Sequence, residues 1–253
     1  SAMFQSNEKP SRSMRIGTLI HGMIREPDTF TYGSAYVVSP EGVDKRTRSG
    51  KSQMEDWAAA NEEAISGGAL VVDASEHRVA DAVYRHFQEE TAASHLVQTE
   101  REVTITWQYH PHDYVNTDGT DKYIPCKARI DALDLTLFNE ETGEGEIWIY
   151  DIKTCGDASP SGFSKSVENF GYAYQAAWYI EAVRAEYPNA NINFGFIAVE
   201  KEAPYGVGLY TLDPLDISCA AVEIYGIIQQ LANSGKDDMG YEKSFVQLGQ
   251  IIS

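Results

Sequence analysis

Residues 126–154, CKARIDALDLTLFNEETGEGEIWIYDIKT, are the stretch that most constrains the fold. They predict two β-strands joined by a Gly- and Glu-rich turn, with Asp131 on the first strand and Asp151 and Lys153 ending the second. Because side chains alternate across a strand, Asp151 and Lys153 project from one face. Residues 147–150 are apolar at every position, which indicates a strand covered on both faces. The sequence therefore predicts charged groups at the mouth of a core.

Two carboxylates and an ammonium group on neighbouring strands predict a site for a hard divalent cation. Mg²⁺ takes oxygen ligands, keeps several waters and is usually held by one or two carboxylates plus substrate phosphate, as Asp131 and Asp151 could offer. Lys153 would then position the attacking water and offset charge that develops on phosphorus. A D-x-K pattern alone occurs by chance in most proteins, so the prediction depends on the rest of the chain.

The arrangement resembles the active site of the PD-(D/E)xK nucleases, with residues 130–131 as its first half and residues 151–153 as its second. Residues 17–30, GTLIHGMIREPDTF, resemble the segment that opens the nuclease domain of the RecE-type exonucleases (exonuclease VIII). In that family the histidine, here His21, belongs to the active site. The alternative for His21 is a partly buried histidine on a packed helix.

A basic stretch follows at residues 44–51, DKRTRSGK, before a predicted helix with a tryptophan. The same order of residues resembles the RecE-type family, which makes Arg46, Arg48 and Lys51 candidates for binding DNA phosphate. The alternative is a solvated loop. The stretch is not a phosphate-binding P-loop, because that motif requires a glycine five residues before its Gly-Lys pair and this chain has none there.

Residues 169–187 predict one helix, on which Gln175 and Tyr179 share a face. Aromatic residues at this spacing usually belong to a core, yet Q-x-x-x-Y after D-x-K resembles the helix that completes the active site in RecB-like nucleases. The resemblance implies that the pair steadies the catalytic lysine and contacts DNA. Residues 155–167, rich in Ser, Gly and Pro, predict a loop beside the metal.

Glu102 lies on a predicted strand over residues 97–109, on the face opposite to Val103. Related nucleases carry a glutamate before the first aspartate, which makes Glu102 a candidate metal ligand; the alternative is a surface glutamate. The resemblance implies that Asp131 and Asp151 hold one or two ions, with the Ile152 carbonyl and His21 completing the shell. Mg²⁺ is the expected ion, and Mn²⁺ is expected to substitute.

The 253 residues can bury a sizeable core as one domain. We expect a tag remnant and flexible N-terminus over residues 1–13, a single exonuclease domain over 14–235 and a tail over 236–253. The resemblance implies an α/β fold with a central mixed sheet flanked by helices. Three scattered cysteines argue against a disulfide framework and fit a reducing cytoplasm, and no apolar run is long enough to span a bilayer.

The net charge of −18 is unusual for a nuclease, because non-specific DNA binding depends on neutralising phosphates with basic side chains. Family members form rings around DNA, so a homo-oligomeric ring with cations in its channel would reconcile an acidic exterior with DNA binding. The resemblance implies a Mg²⁺-dependent exonuclease that enters at double-stranded DNA ends, removes the 5′-terminated strand and leaves a 3′ overhang for a single-strand annealing recombination protein.

Two alternatives remain open. One is a Cas4-like or RecB-like nuclease of other polarity, although three cysteines do not supply the usual four ligands of an iron–sulfur cluster. The other is a catalytically inactive module of the same fold that binds DNA ends or a partner, although the complete Asp131 and Asp151-x-Lys153 set disfavours it.

Overall fold

A computed structural model describes residues 10–109 and 123–233. The chain forms two compact units, one of residues 1–90 with 199–206 and one of residues 91–198 with 207–253. The tail predicted over residues 236–253 and most of the predicted N-terminal segment lie outside the described residues. The single domain predicted over 14–235 covers both units and stays a prediction. No helix within the described ranges is long and apolar enough to cross a membrane.

The first unit combines helices with a small sheet in which β1 and β2 pair in parallel. An Asp73–Glu76 capping box begins its longest helix, and Arg15 contacts the fully buried Glu76 carboxylate with its Nε at 3.1 Å from both oxygens. This ion pair joins the first and last helices of the unit. Its elements are α1 (Arg12–Arg25), β1 (Tyr36–Ser39), α2 (Arg48–Ala60), α3 (Glu62–Ser66), β2 (Leu70–Asp73) and α4 (Ala74–Glu89).

The second unit contains a five-stranded mixed sheet, whose strands lie in the order β3 (Glu100–Tyr109), β4 (Ile124–Asn139), β5 (Glu144–Cys155), β6 (Ala190–Glu200) and β7 (Val207–Tyr210). Together with its flanking helices, this sheet confirms the predicted α/β fold. The last two residues of β6 belong to the first unit. The elements are α5 (Thr91–Ser94), β3 (Glu100–Tyr109), β4 (Ile124–Asn139), β5 (Glu144–Cys155), α6 (Pro160–Phe170), α7 (Tyr172–Glu186), β6 (Ala190–Glu200), β7 (Val207–Tyr210) and α8 (Pro214–Asn233).

The hairpin predicted over residues 126–154 is confirmed as β4 and β5, which pair antiparallel. Its turn closes with a 2.8 Å hydrogen bond from the Gly143 N–H to the Asn139 carbonyl. Helix α7 packs on the sheet through a buried cluster that includes Ile130, Ile149 and Phe196. Burying a side chain of this size contributes about 1.5–3 kcal/mol, so the cluster fixes α7 against the strands that carry the acidic residues.

Two predicted boundaries between secondary-structure elements are wrong, and in both cases the reason lies in residues that cap a helix. The predicted loop over 155–167 contains the start of α6, where Ser159 caps the helix by accepting a 3.2 Å hydrogen bond from the Gly162 N–H and a proline follows it. The predicted helix over 169–187 is two helices, since Gly171 interrupts it with φ 64°.

Candidate active site

Asp131 and Asp151 lie where β4 and β5 stop pairing through their backbones. The last backbone pair before the D-x-K motif joins Ala132 and Tyr150, and the same register would place Asp131 opposite Asp151. At this point the backbone N–H of Ile152 donates a 2.9 Å hydrogen bond to Oδ2 of Asp131 instead. The carboxylate of Asp131 therefore takes the place of a backbone acceptor and is fixed to the middle residue of the motif.

Asp151 is held by partners on both of its oxygens. Its side chain is 1% exposed, and its Oδ2 lies 2.8 Å from Nζ of Lys153. Its Oδ1 accepts a 2.9 Å hydrogen bond from Nε2 of Gln175. An ionised carboxylate only accepts hydrogen bonds, so this contact also fixes which end of the Gln175 amide faces it.

Gln175 and Tyr179 form the connection from this carboxylate into α7. Nε2 of Gln175 also donates to the Tyr179 hydroxyl at 3.0 Å, and both residues are buried. The one Gln175 amide nitrogen therefore contacts both Asp151 and Tyr179. The contact with DNA implied by the resemblance stays a prediction.

Tyr172 is a residue of the site that the sequence analysis missed. Nζ of Lys153 lies 4.9 Å from the centroid of its ring, a cation–π contact. Burial, followed by the negative charge of Asp151, raises the pKa of Tyr172 to about 12, so the phenol stays neutral at physiological pH. The signal was the spacing of Tyr172, Gln175 and Tyr179, which places all three on one face of a helix.

Two buried carboxylates lie together at the site: Asp131 is 6% exposed, and Asp151, which is 1% exposed, forms an ion pair with Lys153. Burying charged groups is costly, and a bound cation would offset that cost for two neighbouring carboxylates. In residues 10–109 and 123–233, no group of three or more His, Cys, Asp or Glu side chains could hold a metal ion. Two carboxylates completed by water and phosphate are nevertheless what Mg²⁺ uses, and the residues fit that ion.

Glu102 lies on β3 and Asp131 lies on β4. The backbone pairs on either side of them, Arg101 with Ala132 and Val103 with Ile130, keep one register, which places Glu102 opposite Asp131. Its φ of 55° interrupts the regular strand, and its side chain is 10% exposed. The carboxylate forms an ion pair with Arg129, whose side chain is 60% exposed. Glu102 is therefore a half-buried residue at an irregular point of β3, and its role as a metal ligand stays a prediction.

The remaining candidate residues belong to the first unit. His21 is half-buried on α1. Arg46 is 90% exposed and forms a 3.0 Å ion pair with Asp44. Arg48 and Lys51 lie in the first turn of α2, so the basic stretch continues into the helix that was predicted to follow it. Their roles at the metal and on DNA stay predictions.

Comparison with known proteins gives one family match and two structural similarities. The model of the family described as "PDDEXK-like domain of unknown function (DUF3799)" matches residues 2–238. The crystal structure of a "Putative exonuclease" from Eubacterium rectale is similar with 13% identity and a TM-score of 0.50, covering 89% of this chain and 68% of that chain. The crystal structure of SSO0001 gives 15% identity, a TM-score of 0.32 and coverages of 84% and 85%. No curated protein has a matching sequence. At these identities the first similarity shows the fold alone.

Proposed function

This chain belongs to the PDDEXK-like family, and with it to the PD-(D/E)xK superfamily, and from that membership we propose that it is a Mg²⁺-dependent exonuclease of double-stranded DNA. The observation that carries the proposal is the contact between Asp151 and Lys153 beside Asp131. The resemblance to RecE-type exonucleases supports removal of the 5′-terminated strand, which leaves a 3′ overhang for a strand-annealing protein.

Asp131 and Asp151 would hold the cation, because their buried carboxylates lie on neighbouring strands beside Lys153, which pairs with Asp151. When bound, the cation supplies Lewis-acid charge that activates water and stabilises negative charge on the phosphate. Gln175 would orient Asp151 for this role, since its amide donates a hydrogen bond to Oδ1 of the carboxylate. The carbonyl of Ile152 remains a proposed additional ligand.

Lys153 would position the water that attacks phosphorus and offset the charge that develops there. Its ammonium is 2.8 Å from Asp151 and above the ring of Tyr172, so its position is defined from two sides. A charged donor that is already oriented needs no reorganisation during the reaction. Tyr172 keeps its proton at physiological pH, because its pKa is raised to about 12, and it provides a ring face to the ammonium group.

A homo-oligomeric ring in the cytoplasm is part of the proposal, because a chain of net charge −18 needs its cations concentrated around the DNA. Light scattering during gel filtration measures this directly. We expect a mass of several chains, and a monomer at every concentration would contradict the ring.

The activity itself is tested with linear duplex DNA that carries a separate label at each 5′ and 3′ end, compared with a closed circle. We expect Mg²⁺ or Mn²⁺ to release the 5′ labels first and to leave the circle intact. First release of the 3′ labels would support the alternative polarity of Cas4-like or RecB-like nucleases. No cleavage of any substrate with either ion would contradict the nuclease proposal and support the inactive binding module.

A further inference from the structure

Phe170 is an exposed aromatic residue stacked against the site. Its side chain is 57% exposed at the end of α6. Its ring stacks on that of Tyr172, with centroids 5.7 Å apart and an angle of 24° between the planes. One face of Phe170 is therefore covered by a second aromatic ring, and the remaining surface is available for contact.

The backbone between these two residues fixes the stack. Gly171 ends α6 and begins α7 with φ 64°, a left-handed conformation that other residues adopt only with strain. Tyr172 is in turn anchored below by Phe196, with ring centroids 5.6 Å apart, and Phe196 is fully buried. The exposed ring of Phe170 is thus attached to the core through Tyr172 and presents a rigid flat surface.

The same stack reaches the catalytic lysine. Tyr172 contacts Phe170 on one side and Nζ of Lys153, 4.9 Å from its centroid, on another. Lys153 is the group that we propose beside the phosphate being cut. Phe170 is therefore two contacts away from the reacting centre, a separation suited to an adjoining nucleotide.

We propose that Phe170 is a stacking platform for an unpaired nucleobase next to the phosphate that is cut; this inference rests on the proposed nuclease function. Stacking of a base on an aromatic side chain needs no particular sequence, because every base has a flat π-face. It also needs no positive charge, which suits a chain of net charge −18. A base inside the duplex is covered on both faces and can stack on Phe170 only after it leaves the helix, so the platform would favour a frayed end over an intact one.

The test combines a protein change with a substrate change. Duplexes carry a normal nucleotide or an abasic residue at the first, second or third position of the strand that is degraded, and kcat/KM is measured for wild type and Phe170→Leu. Loss of one base stack corresponds to a decrease of about 5- to 150-fold. We expect the kcat/KM of wild type to fall by this factor at one abasic position. The kcat/KM of Phe170→Leu should already be lower by this factor on normal DNA and should not fall further at that abasic position.

Matched variants separate stacking from general damage. Phe170→Tyr keeps the ring and should retain activity. Leu215→Ala truncates a 69% exposed side chain on α8 and should have the wild-type kcat/KM on both normal and abasic duplexes. If an abasic residue lowers kcat/KM equally in wild type and Phe170→Leu at every position, the inference is overturned, while the nuclease proposal still stands. A wild type without any cleavage would instead overturn the nuclease proposal.

A binding measurement remains available without cleavage. Duplexes with 2-aminopurine at the same three positions are titrated with wild type or Phe170→Leu in Ca²⁺. We expect quenching at one position with wild type and bright fluorescence with the variant. Identical fluorescence in the two complexes, or no DNA binding by wild type, would overturn the stacking platform.

Discussion

The carboxylate of Asp131 accepts a 2.9 Å hydrogen bond from the backbone N–H of Ile152, the middle residue of the D-x-K motif. This contact orients the first acidic residue relative to the second, because Ile152 directly follows Asp151. It uses one oxygen of Asp131, and Gln175 uses one oxygen of Asp151. Each carboxylate is thus positioned by a hydrogen bond that does not depend on a bound cation.

Replacing Asp151 by Asn or Lys153 by Met should abolish cleavage. Loss of a single oriented charge at a reacting phosphate typically lowers kcat by about 10²–10³-fold, and loss of a cation ligand should lower it further. Initial rates on end-labelled duplex measure this, with circular dichroism to verify folding. Wild-type rates in either folded variant would exclude the proposed roles.

Replacing Gln175 should cost more stability than replacing Tyr179. Gln175→Leu removes a hydrogen bond to a buried charge, worth about 1.5–3 kcal/mol, whereas Tyr179→Phe removes a neutral one, worth about 0.5–1.5 kcal/mol. Urea unfolding of both variants measures the difference. A larger loss for Tyr179→Phe would show that holding Asp151 is not the main contribution of this pair.

Stability should fall at alkaline pH partly because of Tyr172. Burial and the charge of Asp151 raise the pKa of Tyr172 to about 12, while an unfolded tyrosine has a pKa of about 10. Below pH 10 Tyr172 is protonated in both the folded and the unfolded protein, and its contribution to the free energy of unfolding is fully present. As the pH rises from about 10 to 12, the unfolded state loses its proton first and the free energy of unfolding decreases.

Tyr172→Phe removes this titration, so we expect a shallower fall in the free energy of unfolding than in wild type. Part of the decrease with pH should remain in this variant, because other tyrosines, such as Tyr150, also have raised pKa values. Chemical unfolding at a series of pH values from 9 to 11.5 gives both curves. Curves of equal slope would show that Tyr172 is not protected in the folded protein.

Lys51 in α2 should contribute one phosphate contact. For B-DNA each neutralised phosphate adds about 0.9 to the slope of log K against log salt, so Lys51→Gln should lower the slope by about 0.9. Arg46→Gln should lower it less, because Asp44 already pairs with that guanidinium. Equilibrium binding to duplex in Ca²⁺ measures the slopes.

Arg85→Gln serves as the control for this series, since Arg85 forms an ion pair with Asp81 within α4. It changes the net charge by the same amount and should leave the slope unchanged. A slope that falls equally for Lys51→Gln and Arg85→Gln would indicate a general charge effect and no specific contact at α2.

Much of the second unit was predictable, because its elements have strong local signals. The antiparallel hairpin follows from alternation and a Gly-rich turn. The two carboxylates of this hairpin were expected to converge, and the register of β4 and β5 brings Asp131 and Asp151 to neighbouring positions.

The details that the sequence did not reveal depend on tertiary contacts or on single residues. Tyr172 has the spacing of an ordinary core aromatic, and only the fold places Lys153 above its ring. Glu102 was predicted on the face opposite to Val103, as a candidate metal ligand or a surface residue, but the sequence did not reveal that its φ of 55° interrupts the strand or that its carboxylate pairs with Arg129. The first turn of α6 has the composition of a loop because capping residues and turn residues are the same types.

The central claim is that Asp131 and Asp151 bind a divalent cation, and anomalous scattering from crystals soaked in Mn²⁺ tests it most directly. We expect one or two manganese peaks in contact with both carboxylates, and no peak there in crystals of Asp131→Asn soaked in the same way. Wild-type crystals in saturating Mn²⁺ with no peak at these carboxylates would contradict the claim.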